Sequence, residues 1–341
     1  MPNPEIHQLS AYLLDVHRHA SHSDAHEFRE WLFASIRPFV RFDSGWIGLG
    51  RWSGERAEIT DIHLHGVPPG LMEDYRDIVD IDPVAAAASE YPGKAISHRL
   101  GSAQFAGPRY SRLRAYTRKY RLGNALCTSI SDSPRGLQTF MTLCRANDLD
   151  YFSPAEREWH ELAMPHLAVA LQANRQRALQ QVSSRSTAAH KLSDFALVAA
   201  DGTVLAHEPR FAERLRLEWP GFDGSLLPAL IRDRLINESS RKAELPHEFI
   251  TGALAISIER STSGWLVTVH LRNRLDRLSA RERDIAERFA HNETISGIAT
   301  ALGLAPATVR RHIQRAYDHL DVHNKVELAK LVGGEGRGVD D

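Results

Sequence analysis

The stretch Gly303-Leu304-Ala305-Pro306-Ala307-Thr308-Val309-Arg310-Arg311-His312-Ile313-Gln314-Arg315 constrains this chain more than any other. It reads as a tight turn feeding a helix. Pro306 suits the first helical position, where its missing N–H costs nothing. Val309, Ile313, Ala316, Tyr317 and Leu320 then fall at helical spacing on one apolar face, which must bury against other helices. The opposite face carries Arg310, Arg311 and Gln314. Arginine forks onto guanine O6/N7 and glutamine onto adenine N6/N7, so this patch suits a major-groove reader. Thr308 and Arg315 flank it and are placed to hold phosphates.

The helix has neighbours. Ile295 to Leu302 is a short apolar-periodic helix, and Gly303 fits the position just past its end. Helix, glycine turn, helix is the DNA-binding helix-turn-helix pattern. Ser279-Ala280-Arg281-Glu282 forms a capping box for a helix running to about His291, and Asn324 caps a fourth helix, Lys325 to Val332. Leu278-Ser279-Ala280-Arg281-Glu282-Arg283 through Thr308-Val309-Arg310-Arg311-His312-Ile313 to Leu320 and Leu328 resembles the LuxR-type C-terminal domain. The resemblance implies an all-α four-helix domain over residues 274–335 that binds double-stranded DNA. It also implies a homodimer paired through the last helix, with Leu328 and Leu331 facing the partner. Three positions depart from the family pattern: Gly297 replaces a glutamate, Ala305 a serine N-cap, and Asn292 a glycine. A helix-turn-helix that mainly dimerises is the alternative.

Residues 1–180 read as one α+β domain. Helices span 5–40, with His17, His19, His22 and His26 in a polar segment expected to be a solvated loop and no metal site. Strand-like runs Gly45–Trp52 and Ala57–Leu64 flank a Ser53-Gly54 turn. Residues 70–90 look helical in two pieces broken at Asp82-Pro83, and Tyr110–Tyr120 suggests another helix. Ala125–Ser131 and Leu137–Cys144 form a hairpin around Ser133-Pro134-Arg135-Gly136. If Ser131 faces Gly136, Cys127 faces about Phe140, leaving Cys144 too distant for a disulfide. Phe152-Ser153-Pro154-Ala155-Glu156 opens a long helix carrying Trp159, Leu162, His166, Val169 and Ala173 at helical spacing, with a kink expected at Pro165. That motif, followed by Met164-Pro165-His166-Leu167, resembles the closing helix of GAF-like sensor domains. The resemblance implies an antiparallel sheet with flanking helices and a ligand cavity above about 300 Å³. Trp46, Tyr75 and the strand 125–131 should border it.

Tyr75 and Ile81-Asp82-Pro83-Val84 also resemble the acyl-homoserine-lactone receptor domain, which implies that Asp82 accepts a ligand amide N–H. His98 lies near where that family has a tryptophan. Asp82 as a plain helix cap before Pro83 is the other reading. Residues 181–192 are polar and aperiodic and read as a linker. Asp194-Phe195-Ala196-Leu197-Val198 and Asp201-Gly202-Thr203-Val204-Leu205, then helical stretches Phe211–Leu217 and Leu226–Ile236 and a hairpin of Ile250–Glu259 with Gly264–Leu271, resemble a small PAS-like domain over 193–273.

Composition narrows the function. The formal net charge is -1, so electrostatics toward nucleic acid must be local. From Arg272 to Val332 eleven Lys/Arg stand against eight Asp/Glu, a small excess that makes dimerisation important for affinity. There is no GxxxxGK[ST], GxSxG or CxxC motif. No apolar run approaches a membrane span, and the first residues, Met-Pro-Asn-Pro-Glu, lack a signal-peptide pattern. The expectation is a cytoplasmic, ligand-responsive transcription regulator with no cofactor, metal or catalytic residue. An acyl-homoserine-lactone-type receptor, or a plain small-molecule-binding protein, is the alternative.

Overall fold

Residues 4–53, 56–132, 136–185, 193–239, 247–261, 264–272 and 274–333 are described by the structure, a computed structural model. The chain divides into two units, Met1–Glu248 with Ser257–Val269, and Phe249–Ile256 with His270–Asp341.

Helices α1 (Pro4–His22) and α2 (Ala25–Ile36) come first. The histidine-rich stretch expected as a loop is therefore helical, because Asp24 and Glu27 form a capping box that starts α2 at once. His19 stacks on Trp31 with ring centroids 3.8 Å apart. Strands β1 (Ser44–Ser53) and β2 (Arg56–His65) follow, then helices α3 (Gly70–Tyr75) and α4 (Pro83–Glu90). Next come β3 (Ile96–Arg99), α5 (Ser111–Lys119), β4 (Asn124–Asp132) and β5 (Leu137–Arg145). The sheet order is β2-β1-β5-β4-β3, with antiparallel neighbours.

Period-two alternation splits these strands between two faces. Ile47, Leu126, Met141 and Leu143 bury against α1, α2 and α6 (Pro154–Arg185), in a core with Phe28, Leu32, Phe33, Met164 and Leu167. Trp46, Ala125, Cys127, Phe140 and Cys144 face the opposite layer, α3 to α5. The β4–β5 register pairs Cys127 with Thr142 and Cys144 with Ala125, two residues from the expected register. Strand β4 runs one residue further toward the turn than expected, to Asp132 opposite Leu137, where β5 begins as expected. Both thiols lie on one face, buried and free.

Helix α6 opens with the expected capping box: Glu156 N–H donates to Ser153 Oγ, and Ser153 N–H to Glu156 Oε2. It runs through Pro165. Its buried stripe is Ala163, Met164, Leu167, Ala170 and Leu171. Of the stripe read from the sequence, Trp159 packs against this core, whereas the rest lies outward, with Leu162 52% and Val169 61% exposed. Both stripes have helical spacing, and the one with smaller and more flexible side chains meets the sheet. The helix continues to Arg185, into the stretch read as a linker; residues 186–192 lie outside the described residues. Arg175 on α6 reaches Asp61 on β2 at 3.1 Å, and Arg29 on α2 pairs with the same carboxylate.

The second sheet contains β6 (Asp194–Val198) and β7 (Val204–His207), then α7 (Pro209–Glu218) and α8 (Ala229–Ser239). Strands β8 (His247–Ile250), β9 (Leu254–Ser261) and β10 (Gly264–Leu271) complete it. Its order, β7-β6-β10-β9-β8, repeats that of the first sheet: second, first, fifth, fourth, third. Leu179 of α6 packs with Phe195, Leu197, Leu205 and Leu266, and with Leu49 and Leu137 of the first sheet. Strands β3 and β8 have four residues each and no clean alternation, so periodicity does not find them. The expected turns at Gly54, 133–135 and 262–263 lie outside the described residues.

The second unit ends in α9 (Ala280–Ala290), α10 (Ile295–Leu302), α11 (Pro306–Leu320) and α12 (Lys325–Val332). Two small cores hold them. One joins Ile285, Ile298, Val309 and Ile313, and the other Leu278, Ala286, Ala316, Leu320 and Leu328. Leu328 is fully buried there, so it does not face a partner as expected; Leu331 is half-buried, and Val326 is the exposed apolar residue of α12 at 66%.

Two outcomes follow. Leu328→Glu puts a carboxylate in that core and should cost about 3–5 kcal/mol, read by thermal melting; a variant melting like the parent would contradict the placement. His160 on α6 is fully buried, with Nδ1 2.7 Å from Thr128 Oγ1 and no partner at Nε2. Burial pushes its imidazole down to about 3. The unfolded chain binds this proton near pH 6.5 and the folded chain does not, so stability falls as pH drops below that value, by about 1.4 kcal/mol per unit. Between about pH 6.5 and pH 5 that amounts to roughly 2 kcal/mol, and His160→Asn should flatten the slope of urea midpoints over this range. Parallel pH slopes for parent and variant would refute the assignment.

Candidate functional site

The C-terminal helices form the first candidate site. Thr294 caps α10 by accepting from Gly297 N–H at 3.1 Å, so the cap survives without a glutamate at position 297. Gly303 closes α10 in the left-handed region at φ 63°, where a Cβ is strained. Asn292 adopts the same region at φ 68°, as its side chain allows. Helix α11 begins with Ala305 at its N-cap and no side-chain cap hydrogen bond, and Pro306 at N1.

Burial of Val309, Ile313, Ala316 and Leu320 sets the rotation of α11. Arg310, Arg311, Gln314 and Arg315 are exposed, and Thr308 is half-buried at the first turn. Gln314 Nε2 donates to Asp318 Oδ1 at 3.1 Å, so its amide rests along the helix. On α9, Arg281 donates to Leu302 O and Arg283 to Leu275 O, which ties both to the backbone of this unit.

The second candidate site is a cavity of about 90 Å³ between the first sheet and α3 to α5. It brings together Trp46, Tyr75 and Asp82 with Cys127 and Ser129 of β4, as expected. Its size is well below the roughly 300 Å³ expected, because Phe140 and the helix side chains fill much of that face. Phe140 lies opposite Gly48 of β1, and a Cβ at Gly48 would come 2.9 Å from its ring. The missing Cβ leaves room for the aromatic ring beside β1. Met72, Leu113 and Phe140 are wall residues that the sequence reading missed; strand alternation from Thr142 would have found Phe140, while the helix contributions needed the packing.

Asp82 caps α4, its Oδ1 accepting from Val84 N–H at 2.9 Å and Ala85 N–H at 3.3 Å. Its Oδ2 accepts from the Tyr75 hydroxyl at 2.8 Å. Burial pushes the Asp82 carboxyl up, against the pull of the Tyr75 and backbone donors. Burial, then the Asp82 charge, pushes the Tyr75 phenol well up. Burial lowers His98, opposed by the charge of Asp82, and its Nε2 has no partner. Burial pushes the Cys127 thiol up to about 12. Neither cysteine is a ready nucleophile in this setting.

A third cluster joins Glu30 of α2 to His63 at 2.7 Å and His65 at 2.9 Å on β2, with His26 beside His63 and Arg37 on His65. Among the described residues no three His, Cys, Asp or Glu are placed to hold a metal ion. No helix of the described residues is long and apolar enough to cross a membrane.

The C-terminal unit thus carries a helix-turn-helix with a cationic outer face. Residues 276–332 match the family of bacterial regulatory proteins, luxR family, and this part of the chain is a LuxR-type helix-turn-helix domain. Among similar proteins, the probable transcriptional regulatory protein NarL of Mycobacterium tuberculosis is 46% identical over 48 residues, 14% of this chain and 22% of that protein. The transcriptional regulatory protein UhpA of Escherichia coli is 33% identical over 112 residues, 30% of this chain and 55% of that protein. The chain therefore spans about a fifth to about half of the length of these relatives. A crystal structure of Escherichia coli SdiA covers 96% of this chain and 97% of its own at 11% identity and a TM-score of 0.37. The GAF domain of a Bacillus halodurans sensor histidine kinase covers 42% and 90% at 14% identity and a TM-score of 0.27. Likenesses that distant carry no functional weight.

The uncapped start of α11 is open to test. Ala305 already has the extended backbone of an N-cap, φ -73° and ψ 142°. Ala305→Ser should therefore stabilise the second unit by about 1 kcal/mol, seen as a higher melting temperature. An unchanged or lower melting temperature would count against the cap geometry.

Proposed function

We propose that this chain is a sequence-specific, DNA-binding transcription regulator that acts as a homodimer in the cytoplasm, with the N-terminal cavity taking a small-molecule effector. The observation that carries the reading is the rotation of α11. Its apolar residues are buried, so Arg310, Arg311 and Gln314 stand outward in the first turns, the part of such a helix that reaches base edges. In this reading Thr308 and Arg315 hold phosphates, and Gln314 leaves Asp318 to pair with a base. Residues 1–180 and 193–273 act as GAF-like and PAS-like sensor modules, and 274–335 as the DNA-binding domain. Val326 on α12, with Leu331 beside it, is the apolar contact for a second protomer. No enzymatic role is proposed.

The acyl-homoserine-lactone reading is the weaker one. A ligand amide would have to share an Asp82 oxygen that already accepts from the protein.

The test is affinity for a selected operator and a scrambled duplex at several salt concentrations. Arg310→Ala or Arg311→Ala should weaken operator binding by about ten- to a hundredfold and flatten discrimination. Arg315→Ala should weaken both duplexes alike and reduce the salt slope by about one. An intact specificity ratio in both of the first two variants would show that the reading face is misassigned.

A further inference from the structure

The chemistry of the cavity wall narrows what the effector is. The wall is built largely from Trp46, Leu71, Ile78, Val84, Leu113 and Phe140. Four of its inner hydroxyls already donate their protons to protein acceptors. Tyr75 donates to Asp82, and Asp82 accepts from two backbone amides as well. Tyr116 donates to Leu71 O at 3.3 Å, Thr117 to Arg114 O at 3.2 Å and Ser129 to Ala88 O at 2.6 Å. The Cys127 thiol bonds to Thr142. Of the remaining polar neighbours, Glu58 is exposed, Ser89 is half-buried near the end of α4 and Gln138 is half-buried near the hairpin end of β5. Arg51 borders the cavity through its strand. One residue on from Gly50, its side chain alternates to the other face of β1, where its charge acts on Asp223.

A ligand carboxylate or amide carbonyl needs donors, and the hydroxyl protons of Tyr75, Tyr116, Thr117 and Ser129 are already given away, so it would stay unpaired or displace an existing bond. Either outcome costs about 1–3 kcal/mol per group, more for a charge. An apolar ligand meets no such cost. Resting on the effector reading above, we infer that the cavity selects small, uncharged, apolar molecules of single-ring or short-hydrocarbon size. Size agrees with chemistry. A buried apolar space of about 150 Å³ holds benzene. At about 90 Å³ the cavity here is smaller, so a single ring needs some movement of wall side chains such as the unbranched Met72, and a longer acyl lactone needs far more.

The experiment is calorimetric titration of the full chain with three probes: toluene, benzoate and N-hexanoyl-homoserine lactone. Toluene should bind, and benzoate and the lactone should bind at least ten times more weakly. Ala85→Leu, which adds bulk on the cavity side of α4, should cut toluene affinity at least tenfold, with circular dichroism confirming the fold. If Ala85→Leu unfolds the chain, Met72→Leu replaces it, and the stiffer side chain should lower toluene affinity. Tighter binding of benzoate or the lactone than of toluene overturns the inference. So does absence of toluene binding, or toluene affinity unchanged in the folded cavity variant. The duplex assay contains none of these probes, so failure of the DNA-binding reading is seen separately.

Discussion

Helix α6 is the constraint on which the first unit depends. Its 32 residues extend about 48 Å at 1.5 Å per residue, long enough to pass under both sheets. Its start is tied by Glu156 to Arg145, a guanidinium that also reaches Asp150 and the Arg41 and Tyr151 carbonyls. Further along, Asn174 Nδ2 donates to the Ala20 and Ser23 carbonyls at the end of α1, and Arg175 meets Asp61. These bonds are directional and buried or part-buried. They set the helix register, whereas apolar contact alone would tolerate sliding. A paired carboxylate removed from Asp61 would leave two arginines uncompensated, the kind of loss that costs about 3–5 kcal/mol. The cavity lies on the far face of the same sheet. Its wall residue Thr142 is flanked on β5 by Met141 and Leu143, which pack in the core against α6.

The C-terminal helices were legible because their spacing and their ends agree. Val309, Ile313, Ala316 and Leu320 recur at one period, and Ser279 and Asn324 each accept the expected backbone N–H. Where two readings share a period, spacing cannot choose. Leu162 and Val169 have the spacing of a core stripe, yet Met164, Leu167 and Leu171 are the ones buried. Leu328 sits at a plausible interface position, yet the small domain needs it to fill its own core. Long apolar residues are few in so small a unit, and the interior claims them first.

The cavity shows a different limit. Trp46, Tyr75 and Asp82 were found from a family likeness, and they do share one space. Its volume was not readable, because it depends on how far Phe140 leans over Gly48 and on which helix side chains fill the rest. The role of Asp82 was split between cap and ligand acceptor. Capping engages Oδ1, and Tyr75, seven residues earlier in the chain, donates to Oδ2, so the cap is visible in the structure and both oxygens are held by the protein.

Both sheets place their last strand in the middle: β5 lies between β1 and β4, and β10 between β6 and β9. During synthesis the chain emerges N-terminus first, so each sheet waits for its final strand as two separate edges. Until Leu137–Arg145 has left the ribosome, β1 with β2 and β3 with β4 have exposed inner edges and no shared core. The same holds for the second sheet until Gly264–Leu271 appears. Non-local pairing of this kind is slow and leaves unpaired edges open to aggregation. The helix-turn-helix follows directly after β10, so the reading head is made only once the last sheet-closing strand is in place.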